Sequence, residues 1–108
     1  MSLGDAAEQF VDWALKTFPD ETLAQQALHL LKETKELEQS PLSSEEMADV
    51  FMLASLVTHR IMTQAFMSKV DLEVAVLKKL EKNRKRTWRR GPDGVYQHVT
   101  EVKLLTQR

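Results

Sequence analysis

The sequence predicts an all-α fold, on three observations. Glycine and proline are scarce, with three of each. No run of β-branched residues occurs before residue 95. Apolar residues recur every three to four positions, the spacing of one face of a helix that turns about 100° per residue. The 108 residues fit one domain, a four-helix, bundle-like body over about residues 5–90 with a short C-terminal extension over 91–108.

The first helix is expected to open at Asp5 as its N-cap and to run to about Thr17, since Pro19 stops it. The second runs from about Asp20–Thr22 to about Gln39, with Leu23, Ala27, Leu30, Leu31, Thr34 and Leu37 on one stripe. Ser40-Pro41-Leu42 makes a short turn, and short turns join antiparallel neighbours. Ser43 followed by Glu46 reads as a capping box opening the third helix, which extends to about Met67. Its apolar face is broad: Met47, Val50, Phe51, Leu53, Ala54, Val57 and Ile61. Asp71 is placed as the cap of a fourth helix with Val74, Leu77 and Leu80 inward. Gly91-Pro92-Asp93-Gly94 is a turn signal, and the tail VYQHVTEVKLL suits a strand, a helix or an arm. Apolar faces this wide exceed what a short monomer covers, so a homodimer or homotetramer is expected.

Charge is unevenly spread. Residues 1–77 hold 13 acids and 5 bases, whereas residues 78–90 hold 8 bases and 1 acid. Four of the acids are arranged in two pairs at i, i+3: Glu33 and Glu36 in LKETKEL, Glu46 and Asp49 in SSEEMADVF. On a helix each pair leaves one face, and two adjacent helices would bring four carboxylates together. Glu46 falls in line with Val50, Leu53 and Val57, and Glu33 in line with Leu30 and Leu37, so both edge the core stripe. An unpaired carboxylate there is costly. Bases along these helices do not relieve it: Arg60 is about three turns from the acids of its helix, and Glu36 has only Lys32 in the weaker orientation. The alternative is a set of ordinary solvated acids, but two such pairs on consecutive helices favour a bound cation. Oxygen-only ligands and the absence of cysteine select Mg²⁺, with Mn²⁺ as the alternative, over Zn²⁺.

In KKLEKNRKRTW, Lys79, Asn83 and Arg86 fall at i, i+4 and i+7. A point charge, a neutral donor and a bidentate fork on one face suit a polyphosphate. Trp88 is a base-stacking group or an anchor for the helix end. The same basic run could contact nucleic acid, but an acidic body would repel a duplex and the carboxylates would be left unexplained.

These segments resemble a known family. KETKEL with EEMADVF is similar to the metal-binding signature of MazG-type nucleoside triphosphate pyrophosphohydrolases, in the all-α NTP pyrophosphohydrolase superfamily. FVDWALKTFPDET, LKKLEKNRKRTW and GPDGVYQHV resemble its small dATP/dGTP pyrophosphohydrolase-like subgroup. The resemblance covers nearly the whole chain. It implies an oligomeric MazG-like helical bundle that cleaves a (deoxy)nucleoside triphosphate to monophosphate and pyrophosphate, a reaction suited to cleaning a nucleotide pool. Carried over, Glu33, Glu36, Glu46 and Asp49 are the metal ligands, and Lys79, Asn83 and Arg86 the phosphate contacts. One departure is Lys32, where many members carry an acid. Glu36 or Glu45 would orient or deprotonate the attacking water. Trp13, His29 and Trp88, with Phe10, are the candidates for contact with the base. Phe10 and Trp13 equally suit the core side of the first helix, and His29 a place behind the ligands.

The remaining bulk properties narrow the class. Without cysteine there is no disulfide framework. No apolar run nears the roughly 18 residues of a spanning helix, and MSLGDAAEQF lacks the layout of a signal peptide. A cytoplasmic enzyme without a membrane partner is expected. The rival readings are a helical interaction module with an idle site and a nucleic-acid-binding protein using residues 78–90.

Overall fold

The computed structural model describes residues 1–99. Four helices, α1 (Leu3–Thr17), α2 (Leu23–Gln39), α3 (Ser44–Gln64) and α4 (Lys69–Lys85), precede two short strands, β1 (Thr87–Arg90) and β2 (Tyr96–Val99). The fold is all-α, with a hairpin added after the last helix. Contacts divide the chain into two compact units, Met1–Ser68 and Lys69–Arg108. No single helix among the described residues is long and apolar enough to cross a membrane.

In the first unit α3 packs against both α1 and α2. Its buried core is small: Val11 and Ala14 from α1, Leu53 and Leu56 from α3, with Phe10, Leu15 and Leu30 partly buried against them. Buried with them is one polar side chain, Gln26 of α2, at 2% exposure. The helix starts are chemically specified. Thr22 caps α2 and Gln25 returns the bond to the cap backbone. Ser43 Oγ accepts from the Glu46 amide at 3.2 Å.

Several expectations are corrected here. The cap of α1 is Ser2 rather than Asp5. Asp5 is the residue three positions on, whose carboxylate accepts from the Ser2 amide at 2.8 Å. α3 stops at Gln64 rather than near Met67. Its C-terminus closes with Met67 N–H to Met62 O at 2.8 Å and Phe66 N–H to Thr63 O at 3.4 Å, a Schellman pattern. The left-handed position is filled by Phe66, at φ 53°. α4 starts at Lys69, which puts Asp71 in its first turn and not at its cap. Leu31, Met47, Phe51 and Ile61, expected inward, are exposed, because α1 and α2 cover only the Leu53–Leu56 side of α3.

In the second unit α4 buries none of its residues, so Val74, Leu77 and Leu80 are exposed too. β1 and β2 pair antiparallel, Trp88 opposite His98 and Arg90 opposite Tyr96. The turn forms where Gly and Pro cluster. Gly94 N–H donates to Gly91 O at 3.0 Å, and Gly94 takes φ 84°, which a side chain would oppose. The tail's first part is therefore strand; residues 100–108 lie outside the described residues.

Candidate active site

The short Ser40–Ser43 turn folds α3 back beside the end of α2, so the two acid pairs face one another. Glu33 of α2 and Glu46 and Asp49 of α3 each offer one oxygen, and these oxygens lie within 4.8 Å of one another. All three residues are half-buried. Oε2 of Glu33 and Oε2 of Glu46 are out of solvent with no hydrogen-bond partner. Ser43 N–H bonds to Ser40 O at 3.0 Å instead of to the Glu46 carboxylate. The expected capping box is thus half made, and the Glu46 side chain remains in the cluster.

The charges act on one another as geometry requires. Hydrogen bonding with the Glu36 carboxyl, followed by partial desolvation and by the charges of Glu36 and Asp49, raises the Glu33 carboxyl above the ordinary glutamate range; His29 opposes this. Glu46 is raised first by desolvation, then by the charges of Glu36 and Asp49. Such carboxylates favour anything that brings positive charge between them. The donor set is oxygen only, and two of its oxygens are buried without partners, so the residues present fit a hard divalent cation such as Mg²⁺ or Mn²⁺.

Glu36 is exposed and stands beside this trio rather than within it, in contact with both Glu33 and Glu46. Glu45 is exposed on the outer side of the first turn of α3, where only its charge reaches Glu46. His29 Nε2 lies 3.4 Å from Glu33 Oε1, one turn back on α2. Next to the carboxylates is a cavity of about 230 Å³ whose walls include Glu33, Asp49, Phe10, Trp13, Phe18 and Glu21. Trp13 is 53% exposed and is no core residue; it contacts Phe10 at 5.9 Å and Phe18 at 5.4 Å between ring centroids. Two wall residues, Phe18 and Glu21, belong to the segment joining α1 to α2 and carry no periodic signal that would single them out. Arg60 anchors that segment through Nη2, which donates to Glu21 O at 3.3 Å. Arg60 is the one lysine or arginine of α3, a readable sign of such a tie.

Lys79, Asn83, Arg86 and Trp88 belong to the second unit. Asn83 and Arg86 are already joined, Arg86 Nη1 donating to Asn83 Oδ1 at 3.1 Å. Arg86 lies just past α4, with its amide bonded to Asn83 O at 3.2 Å, so it does not continue the helical face on which it was expected. Trp88 Nε1 donates to Asn83 O at 2.9 Å, which makes it an anchor of the helix end.

The family model for dATP/dGTP pyrophosphohydrolase matches residues 6–103. A dATP/dGTP diphosphohydrolase of Salmonella phage PMBT28 is 35% identical over 101 residues, which is 93% of this chain and 32% of that protein. The chain therefore spans about a third of the length of this curated relative. The solved structure of a cyanophage S-2L MazG-like pyrophosphohydrolase, bound to dGDP and three catalytic Mn²⁺ ions per active site, matches with a TM-score of 0.70. It is 27% identical and covers 93% of this chain and 99% of its own. With the family model matched over nearly its whole length, the chain belongs to the dATP/dGTP pyrophosphohydrolase family.

Proposed function

We propose that this chain hydrolyses purine deoxynucleoside triphosphates to the monophosphate and pyrophosphate, using Mg²⁺ or Mn²⁺. The observation that carries this reading is the trio Glu33, Glu46 and Asp49, with two buried, unpartnered oxygens and an aromatic-walled cavity beside it. The dGDP and Mn²⁺ bound by the cyanophage protein support the same ligand classes here.

Glu33, Glu46 and Asp49 would hold the metal, with Glu36 at their edge. Bound there, a divalent ion neutralises phosphate charge and acidifies water. Glu36 is better placed than Glu45 to orient the attacking water and take its proton, because its carboxyl already contacts two ligand residues. The water oxygen attacks the α-phosphorus, the bond to the bridging oxygen breaks, and pyrophosphate leaves. Lys79, Asn83 and Arg86 have the donors that a polyphosphate needs, and Lys79→Ala should raise KM. The exposed apolar side chains of both units support a homo-oligomer, dimer or tetramer.

A panel of deoxynucleoside triphosphates, assayed for pyrophosphate with and without metal, tests the proposal. Pyrophosphate from dATP and dGTP only when metal is present is the expected result. No release from any nucleotide, or release of orthophosphate alone, overturns it.

A further inference from the structure

The cavity beside the carboxylates is lined by Glu33 and Asp49 together with the aromatic rings of Phe10, Trp13 and Phe18. Its volume, about 230 Å³, is below the roughly 300–1,000 Å³ of a pocket for a whole drug-sized ligand. It is sized for one flat part of a nucleotide, and a base is the part that stacks on aromatic rings. Four titratable groups line it: Glu21, His29, Glu33 and Asp49. Glu33 and Asp49 belong to the metal trio, and His29 lies against Glu33. That leaves Glu21.

Glu21 is held in place by its backbone. Its amide donates to Phe18 O at 3.3 Å, and its carbonyl accepts from Arg60 Nη2 at 3.3 Å. The residue is half-buried, and no hydrogen bond or ion pair engages its carboxylate among the described residues. Its carboxylate is acceptor-only, and Glu21 lines this base-sized aromatic cavity as well as the neighbouring one bounded by Thr17, Gln25 and Lys32, so the group is free to take a donor from a ligand.

We propose that Glu21 determines base specificity, accepting the N1–H and the exocyclic N2–H of guanine and so favouring dGTP over dATP. The inference rests on the hydrolase reading above and adds the residue that discriminates within its substrate class. Guanine presents two adjacent donors on its pairing edge. Adenine presents one donor beside an acceptor, N1, whose lone pair would face the second carboxylate oxygen. A bidentate contact of this kind discriminates between bases by about 1–3 kcal/mol, roughly 5- to 150-fold. A glutamine in the same place offers one acceptor and one donor, which matches adenine instead.

The test compares Glu21→Gln and Glu21→Ala with the wild type, using kcat/KM for dGTP and dATP and calorimetric binding of dGMP and dAMP. Glu21→Gln should lower the dGTP:dATP ratio by about tenfold or more, partly through a gain on dATP, and the binding ratio should follow. Glu21→Ala should flatten the preference without that gain. An unchanged ratio in Glu21→Gln overturns the proposal. So does an equal loss on both nucleotides, which would mean that Glu21 only supports the turn, and so does a wild type that binds dAMP as well as dGMP. If the wild type binds dGMP selectively but releases no pyrophosphate from any nucleotide, the hydrolase reading fails while the base-reading role of Glu21 stands.

Discussion

Glu33 and Glu46 hold protons more tightly in the folded, metal-free chain than an ordinary glutamate does. Folding therefore takes up protons in the interval between the ordinary carboxylate range and the raised values, and stability falls as pH rises through it. Below that interval both states are protonated and the penalty vanishes; above it the penalty is complete. Glu46→Gln should thus be more stable than the metal-free wild type at neutral pH, with the difference closing as pH falls below the glutamate range. Thermal melts of both proteins across that range check the sign. The same substitution should reduce turnover on the order of 100-fold or more, since a lost metal contact exceeds the 10–100-fold cost usual for an outer one. Addition of Mn²⁺ should raise the melting temperature of the wild type and leave that of Glu46→Gln nearly unmoved. These residues were legible in the sequence because carboxylates on a core stripe demand a partner. Glu21 and Gln26 were not, since a turn residue and a single buried amide leave no periodic trace. Trp13 read equally well as core, and only its 53% exposure beside the cavity separates the two roles.

At the scale of elements, caps determine where the site's side chains begin. Ser43 caps the turn of α3 that carries Glu46, and Asp49 follows at once. Ser43→Ala should cost about 1 kcal/mol of stability and weaken metal binding by fraying that turn, whereas Ser43→Asp should retain both. Denaturant melts and a metal titration distinguish the two variants. Helix existence and the caps at Thr22 and Ser43 were readable from the sequence; those of α1 and α4 were not, and at α1 two polar residues three apart compete for one role. Ser2 and Asp5 form a reciprocal pair, and the sequence does not say which of them is the cap. Phe66 shows the opposite case, a left-handed position without glycine at the end of α3. Phe66→Gly should relieve about 1 kcal/mol of backbone strain and raise the stability of the first unit, as urea unfolding would show. The Phe66 side chain is 95% exposed, so little packing is lost in exchange.

Over the whole molecule, the core is small for the apolar surface the chain carries. Among the described residues four form it, while Leu42, Met47 and Phe66 in the first unit and Val70, Val76 and Leu77 in the second stay exposed. Sedimentation at micromolar concentration should therefore give a dimer or tetramer, and a monomer there would contradict the proposed assembly. The imbalance was visible in the sequence as helices with faces too broad for their length. Which side chains remain uncovered was not, because that depends on how α1 and α2 divide the surface of α3. The account stands on the pairing of carboxylates across α2 and α3, and Mn²⁺ binding is its most direct test. Titrated into the metal-free chain and followed by the electron paramagnetic resonance of the free ion, Mn²⁺ should bind the wild type, and binding should be lost in a folded Asp49→Ala variant. Equal affinity in the two proteins would contradict the account.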